Sequence, residues 1–452
     1  MLQQILRENR RTFGLALPII AGFVGQMLMG VVDTIMVGWV GVTPLAACAF
    51  ANTILSVPMV FGFGILSSVS VCASHAHGAG KPADAGEALR GGMVIAFVLG
   101  LLLVATAYIS VPHLAFFGQP PEINYIVHRY FLYISWSLLP VFITGVAKNI
   151  CEAFEHPWPP FWIMIGGVFM NVALNWVFIF GNLGWPSMGL DGAGLATLIS
   201  RVATMVGVVG YAAWSPVMKA AWPRRWVAPG IVSECRHLLD IGLHSGGLNL
   251  CEVSGFALGS LMMGWLGVAS LAAHQIAISC AGTTFMVPLG LGQALSVRVA
   301  NARGAGRRSD IPTIVYGALL LTSALMLGFA AIFLLCGEWI ASLFVVDPVV
   351  KELTMQLLVL AGVFQIFDGI QIVSSGGLRG FRDTKIPFLM GVLSYWVVAL
   401  PVSWFAAFRW GFGARGIWMG FVVGLAVAAI ALCSRLFKKV SPRALSPHGV
   451  ST

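Results

Sequence analysis

Three acidic residues stand alone inside long apolar stretches of this chain, and they limit what it can fold into. Asp33 is the only Asp, Glu, Lys or Arg between Arg11 and Lys81. Glu252 and Asp368 are isolated in the same way within their own apolar stretches. If these stretches cross a bilayer, each carboxylate costs roughly 2.5–3.5 kcal/mol unless a partner or a water-filled cavity receives it. We therefore expect the three acids to bind ions or cationic substrates.

The composition is typical of a polytopic membrane protein. Of the 452 residues, 58% are hydrophobic and 10% are charged, whereas about a quarter of the residues of a soluble globular protein are charged. Twelve apolar stretches have the length of about 20 residues that a transmembrane helix needs. We therefore predict an all-α polytopic membrane protein with twelve transmembrane helices, six in each half of the chain.

The distribution of Lys and Arg predicts the orientation. If both termini are cytoplasmic, 21 of these residues fall on the cytoplasmic side, 4 fall on the other side, and Arg201 lies inside a span. Such a bias is typical of cytoplasmic loops. We predict a multi-pass protein of the cell inner (plasma) membrane with both termini in the cytoplasm. The bias also explains the net charge of +9, so we expect a lipid bilayer and no nucleic acid as partner.

The chain contains an internal repeat. A shift of 226 positions lays the segment 36–47, MVGWVGVTPLAA, on the segment 262–273, MMGWLGVASLAA. The same shift lays the GAG of 78–80 on the GAG of 304–306. We predict a first six-helix lobe at 1–218, a cytoplasmic linker at 219–230 and a second lobe at 231–452. Because six is even, the repeats are parallel, which predicts a substrate site between the lobes near the membrane midplane.

The isolated acids do not follow this repeat. Asp33 aligns with Gly259, and Glu252 aligns with Gln26. Asp368 also has a non-acidic counterpart, near Thr144. The acidic function therefore differs between the lobes, with one carboxylate in the first and two in the second.

Five segments of the chain carry a family resemblance: LALP at 15–18, VDTIMVG at 32–38, AHQI at 273–276, PLGLGQA at 288–294 and GLRGFRDT at 377–384. They resemble the multidrug and toxic compound extrusion (MATE) transporters, in their NorM-like branch. The resemblance covers essentially the whole chain and implies the MATE-like fold of two parallel six-helix repeats.

The resemblance implies roles for particular residues. Acids on the first, seventh and tenth spans of this branch carry cation coupling or drug recognition, and they match Asp33, Glu252 and Asp368. For the last two we expect a Na⁺ site. The remaining candidates implied for coupling or substrate binding are Asn171 and Asn175 on the fifth span and Gln275 on the eighth. Some relatives have a tyrosine on the eighth span near the coupling cation, and Phe285 is the aromatic residue of this chain nearest to that position.

Structural roles compete with these assignments. Asp33 can cap a helix break, and Asp368 can bond to backbone at a kink beside Gly369. Glu252 can pair with His244 or His274. Asn171 and Asn175 share one helix face, because they are four residues apart, and such amides also join neighbouring helices by hydrogen bonds.

Two functions fit the sequence. The first is a secondary active antiporter that exports organic cations and drugs in exchange for Na⁺ or H⁺, by alternating access of the two lobes. The second is a flippase for lipid-linked precursors of the same superfamily, for which we expect more basic residues in the spans than Arg201 alone. We find no DxxxD, HExxH or P-loop motif, so we expect neither an enzyme nor a cofactor. We expect a monomer, since the fold needs only one chain.

Overall fold

The computed structural model describes residues 2–118, 120–223, 225–226 and 229–441. Parts of the predicted linker, Arg224, Val227 and Ala228, lie outside the described residues, as do residues 442–452 of the predicted second lobe. In the described part every regular element is helical. The all-α prediction is therefore confirmed.

Twelve long helical segments follow one another along the described chain. Those of the first repeat are α1 (Leu2–Gly38), α2 (Val42–Gly78), α3 (Pro82–Ser110), α4 (Pro121–Ala153), α5 (Trp158–Phe180) and α6 (Gly189–Trp214). Those of the second are α7 (Ile231–Trp265), α8 (Val268–Gly304), α9 (Ile311–Leu335), α11 (Pro348–Gly380), a segment from α12 (Lys385–Val392) through α13 (Leu400–Trp404), and α14 (Ala414–Val440), with the short α10 (Gly337–Phe344) before α11.

Eleven helices of the described chain are long and apolar enough to cross a membrane. The long segment that falls short of this measure is α7, which carries Glu234, Arg236, Asp240 and Glu252. The eleventh segment contains two π-helical stretches, Leu393–Ala399 and Phe405–Arg409. Such departures from α-helical geometry are frequent at functional sites.

Each repeat places its fourth long helix at the centre of its helix packing. In the first repeat α4 packs against α2, α3 and α6, and in the second α11 packs against α8, α9 and α14. These neighbours are the second, third and sixth long helices of each repeat, so both repeats pack in the same way. Glycines allow the closest approach: a Cβ on Gly376 of α11 would overlap the backbone of Gly292 of α8, as is common between membrane helices.

The chain forms two compact packing units, whose borders lie inside α1 and α7. One unit comprises the described residues of Ala21–Gly246, and the other comprises the described residues of Met1–Ile20 together with those of Gly247–Thr452. The first turns of α1 thus pack with the second repeat, where Glu8 forms an ion pair with Arg298. Packing units and sequence repeats are different divisions of the chain, and the boundaries at 218 and 231 stay a prediction about the repeats.

The start of α7 packs correspondingly with the first repeat. There Glu234 forms an ion pair with Arg90 of α3. Glu234 lies 226 positions after Glu8, so the two glutamates are equivalent in the repeat. Each is therefore paired with an arginine of the other repeat.

Candidate ion and substrate sites

The first candidate site surrounds Asp33 in the second half of α1. Asn175 of α5 donates a hydrogen bond from Nδ2 to Asp33 Oδ1 at 2.6 Å, and Thr197 Oγ1 of α6 lies 3.3 Å from Asp33 Oδ2. Asn175 also donates to Asn171 Oδ1 at 3.2 Å. Both asparagines are fully buried, and the spacing of four residues places them on one helix face. Both oxygens of the Asp33 carboxylate therefore have partners.

A positive charge lies close to this carboxylate. Arg201 follows Thr197 by one turn of α6 and donates from Nη1 to Ser137 Oγ at 2.6 Å. Its guanidinium also interacts electrostatically with Asp33 and with Tyr130. The site thus combines one carboxylate and one guanidinium, and their formal charges cancel.

Helices α2 and α4 complete the polar surroundings of this site. Tyr130 of α4 is buried, and its hydroxyl lies 3.1 Å from Cys48 Sγ of α2. Asn52, one turn after Cys48, donates to the same hydroxyl at 3.4 Å. The Cys48 thiol and the Tyr130 hydroxyl both interact electrostatically with Asp33. Four helices of one packing unit, α2, α4, α5 and α6, therefore contribute polar groups around the acid of α1.

The second candidate site contains Glu252 of α7 and Asp368 of α11. Their side chains are buried, and the two carboxylates lie close enough to interact electrostatically. Tyr395, in the first π-helical stretch, is also buried and interacts with both acids. In the part of the chain that the structure describes, neither acid forms an ion pair with Lys, Arg or His. This site therefore carries two acids and no compensating cation from the described chain.

Several buried polar atoms around the second site have no hydrogen-bond partner within the described residues. They include Asp368 Oδ1, the Tyr395 hydroxyl, and both amide atoms of Gln365 and of Gln371, one turn before and after Asp368. A buried donor or acceptor without a partner costs about 1–3 kcal/mol. Such a polar interior is suited to hold water or a cation, which would satisfy these atoms.

The donor set fits a hard monovalent cation. Carboxylate, hydroxyl and amide oxygens are the kind of ligand that such ions take. Among residues whose placement is described, no group of three or more His, Cys, Asp and Glu is arranged to hold a metal ion. A cation here would therefore be held by the carboxylates of Glu252 and Asp368 together with neutral oxygens.

The structure brings some of the predicted residues together and leaves others apart. Asp33 lies with Asn171 and Asn175, as described above. Gln275 is exposed on α8, and Phe285 is half-buried on the same helix. The aromatic residue whose hydroxyl interacts electrostatically with both acids is Tyr395, on a span where the sequence analysis named no candidate.

The histidines proposed as alternative partners of Glu252 have other contacts. His274 Nε2 lies 2.8 Å from Ser260 Oγ, and His244 Nδ1 lies 2.7 Å from the backbone oxygen of Asp240. His274 is fully buried, and its ring also contacts Trp418 at 5.9 Å between centroids.

The sequence analysis missed several further polar residues of the two sites. Among them, Thr197 and Tyr395 have no distinctive sequence context, because hydroxyl residues are common in membrane helices. Gln365 and Gln371 do have one, since they flank Asp368 at three residues on either side. Amides at that spacing from an isolated acid were a signal that the sequence analysis passed over.

Comparison with known proteins matches both repeats to one family. The sequence profile of the family described as MatE matches twice, at residues 18–177 and 246–405. A protein of Bradyrhizobium diazoefficiens named "Probable multidrug resistance protein NorM" is 34% identical over 448 residues, which cover 95% of this chain and 93% of that protein. A protein of Pseudomonas putida with the same name is 34% identical over 456 residues, covering 98% and 97% of the two chains.

Solved structures share the fold at lower sequence identity. The structure described as the eukaryotic MATE transporter AtDTX14 has a TM-score of 0.88 at 22% identity and covers 98% of this chain and 99% of its own. The Vibrio cholerae MATE transporter VcmN in the bent form has a TM-score of 0.86 at 21% identity, with 97% and 98% coverage. At these identities the likeness concerns the fold.

Proposed function

Because the chain belongs to the MatE family, we propose that it is a secondary active multidrug exporter, which carries organic cations out of the cell in exchange for Na⁺ or H⁺. Members of this family are transporters and not enzymes. The observation that carries the proposal is the buried pair of Glu252 and Asp368, which has no ion-pair partner in the described chain.

Antiport follows from exclusion at this pair. An organic cation and the coupling cation both lower the energy of the buried carboxylates, and each makes the site less attractive to the other. If each also favours a different conformation, inward movement of the coupling cation drives outward movement of the drug. One elementary charge that moves through 100 mV supplies about 2.3 kcal/mol.

We assign the coupling cation to the second repeat because of the charges in the two sites. At Asp33 the guanidinium of Arg201 interacts electrostatically with the carboxylate, so an added Na⁺ would give this site a net positive charge. At Glu252 and Asp368 an added cation reduces a negative charge instead. In this proposal Asp33 acts through protonation or through its electrostatic interaction with Arg201, and the acid pair binds Na⁺ or H⁺.

The proposal also retains the predicted topology. It places the twelve segments in the inner membrane with both termini cytoplasmic. The protein acts as a monomer, in which the repeats at 1–218 and 231–452 move to give alternating access. Organic cations and drugs are the expected substrates, and the bilayer is the expected environment.

Transport in reconstituted vesicles tests this function. We would measure efflux of ethidium under a Na⁺ gradient and under a pH gradient, imposed separately, for the wild type, Asp368→Asn and Asp33→Asn. Asp310→Asn, beside the first turn of α9, is the matched control, and we expect it to behave as the wild type. Asp368→Asn should lose the response to the coupling gradient.

Two outcomes would overturn parts of the proposal. If only Asp33→Asn abolishes coupling, the coupling site lies in the first repeat. If neither gradient moves any organic cation with the wild type, the exporter proposal fails, and transport of lipid-linked precursors becomes the function to test.

A further inference from the structure

Helix α11 has a polar face that is buried inside its packing unit. Gln365, Asp368, Gln371 and Ser375 are between 0% and 5% exposed. At 3.6 residues per turn their positions fall within an arc of about 120° around the helix. Polar residues on a membrane helix that packs on α8, α9 and α14 require an explanation, because apolar side chains would fill the same space without loss of hydrogen bonds.

The partners of this polar face are incomplete. Neither amide of Gln365 and Gln371 has a hydrogen-bond partner on either its nitrogen or its oxygen within the described residues. Buried polar groups in proteins are bonded in the great majority of cases. The face is next to the acid pair, since Asp368 belongs to it and interacts with Glu252. Water or an ion is therefore the natural partner for these amides.

The polar face continues toward the end of α11. Ser375 follows Asp368 by about 10 Å of helical rise and is 5% exposed. Gly380 is the last residue of α11. Gly380 follows Asp368 by about 18 Å of helical rise. In the proposed topology this end of α11 is cytoplasmic.

We propose that the polar face of α11 lines a hydrated passage inside its packing unit, through which the coupling cation travels between the acid pair and the level of Ser375, toward the Gly380 end of the helix. This inference rests on the proposed function and topology, and it adds a route to them. A glutamine amide both donates and accepts hydrogen bonds, so Gln371 can orient water and offer an oxygen to a passing cation. A passage of this kind lets the ion leave toward the cytoplasm without entering the lipid.

Silver ion is a direct probe of the passage, because it is a small monovalent cation that reacts with thiols. The test compares Ser375→Cys, on the polar face, with Val373→Cys, which is also buried but lies on the opposite side of α11. Each variant is treated with silver ion in membranes, then denatured, and the modified fraction at each position is read by mass spectrometry of its peptide. Because each position is read from its own peptide, the native cysteines need not be replaced.

We expect the thiol of the Ser375→Cys variant to react at least tenfold faster than the thiol of the Val373→Cys variant, and we expect saturating Na⁺ or low pH to slow it. Equal and slow reaction of the two thiols would overturn the passage. This measurement does not use transport, so it separates failure of the passage from failure of the exporter proposal.

A flux measurement adds a functional criterion. Gln371→Met keeps the length of the side chain and removes its amide, and Gln356→Met is the control on the same helix, where the amide bonds to Glu352 near the helix start. We expect Gln371→Met to slow gradient-driven ethidium efflux at least fivefold, while the Kd of ethidium and the folded fraction match those of Gln356→Met. Equal rates in the two variants would contradict a role for Gln371 in the passage.

Discussion

Asp33 in the first repeat and Asp368 in the second are both isolated acids in apolar helices, but their surroundings differ. Asp33 has Asn175 and Thr197 at its two oxygens and the charge of Arg201 nearby. Asp368 has a second acid nearby, Glu252, and an oxygen without a hydrogen-bond partner among described residues.

This difference separates two uses of a carboxylate in an apolar helix. A carboxylate that the protein already satisfies is held in one place, and its removal disturbs the fold. A carboxylate that the protein leaves unsatisfied gains most from an ion or a substrate. The first site is therefore suited to a switch within the protein, and the second to binding something from outside. Four predictions test this difference between the two sites.

The largest effect is expected at the acid pair. Asp368→Asn or Glu252→Gln should reduce gradient-driven efflux by about 100-fold or more, because the bound cation would lose one of its two carboxylates, and truncating one partner of a buried charge contact costs about 2–5 kcal/mol. Vesicle transport at fixed gradient measures the loss, with Asp310→Asn as the control. If both variants keep most of the gradient-driven transport, the proposed difference between the two sites is wrong.

The next effect is expected at Arg201. Arg201→Gln keeps a donor for Ser137 but removes the positive charge that acts on Asp33, which should lower the free energy of unfolding by about 1–3 kcal/mol. The double variant with Asp33→Asn should recover part of that loss, since it removes the uncompensated charge. Denaturation in detergent measures the free energy of unfolding of the wild type, the two single variants and the double variant, which together form a double-mutant cycle.

The control for Arg201 is Arg129→Gln, because Arg129 is largely exposed and its nearest acid, Asp191, lies 3.9 Å away. We expect this control to change stability little. Additive losses in Arg201→Gln and Asp33→Asn, with no recovery in the double variant, would show that the two side chains act independently.

The same Asp-to-Asn change should affect stability differently in the two repeats. Asp33→Asn replaces a charged acceptor of two side chains and should cost about 1–3 kcal/mol. Asp368→Asn relieves repulsion from Glu252 and should leave stability unchanged or raise it. Thermal unfolding of both variants in one detergent, without added Na⁺, measures the contrast, and equal destabilisation of both variants would contradict it.

The smallest effect is expected at Thr197. Thr197→Val removes the hydroxyl that lies beside Asp33 and should cost about 1 kcal/mol. Thr106→Val is the matched control, because its exposed hydroxyl bonds only to the backbone of its own helix. A difference between them too small to measure would show that Asn175 alone holds the Asp33 carboxylate.

The fold and the acids could be predicted from the sequence, but their partners could be predicted only in part. Asn171 and Asn175 were found with Asp33 because family resemblance and helical spacing both pointed to them. Phe285 was chosen by its position along the eighth span, whereas the ring near the acid pair belongs to Tyr395 in a π-helical stretch. Helical register changes within such a stretch, so simple counting along the chain does not show which residue faces inward.

The sequence by itself determined that this is a helical membrane protein with a twofold repeat and three isolated acids, because hydrophobic length and charge spacing are local properties of the chain. Tertiary structure decided which acid is compensated. The approach of Arg201 to Asp33, and of Glu252 to Asp368, depends on how helices far apart in sequence pack side by side. Charge interactions depend on those distances in space, and for that reason two similar acids in one chain have different surroundings.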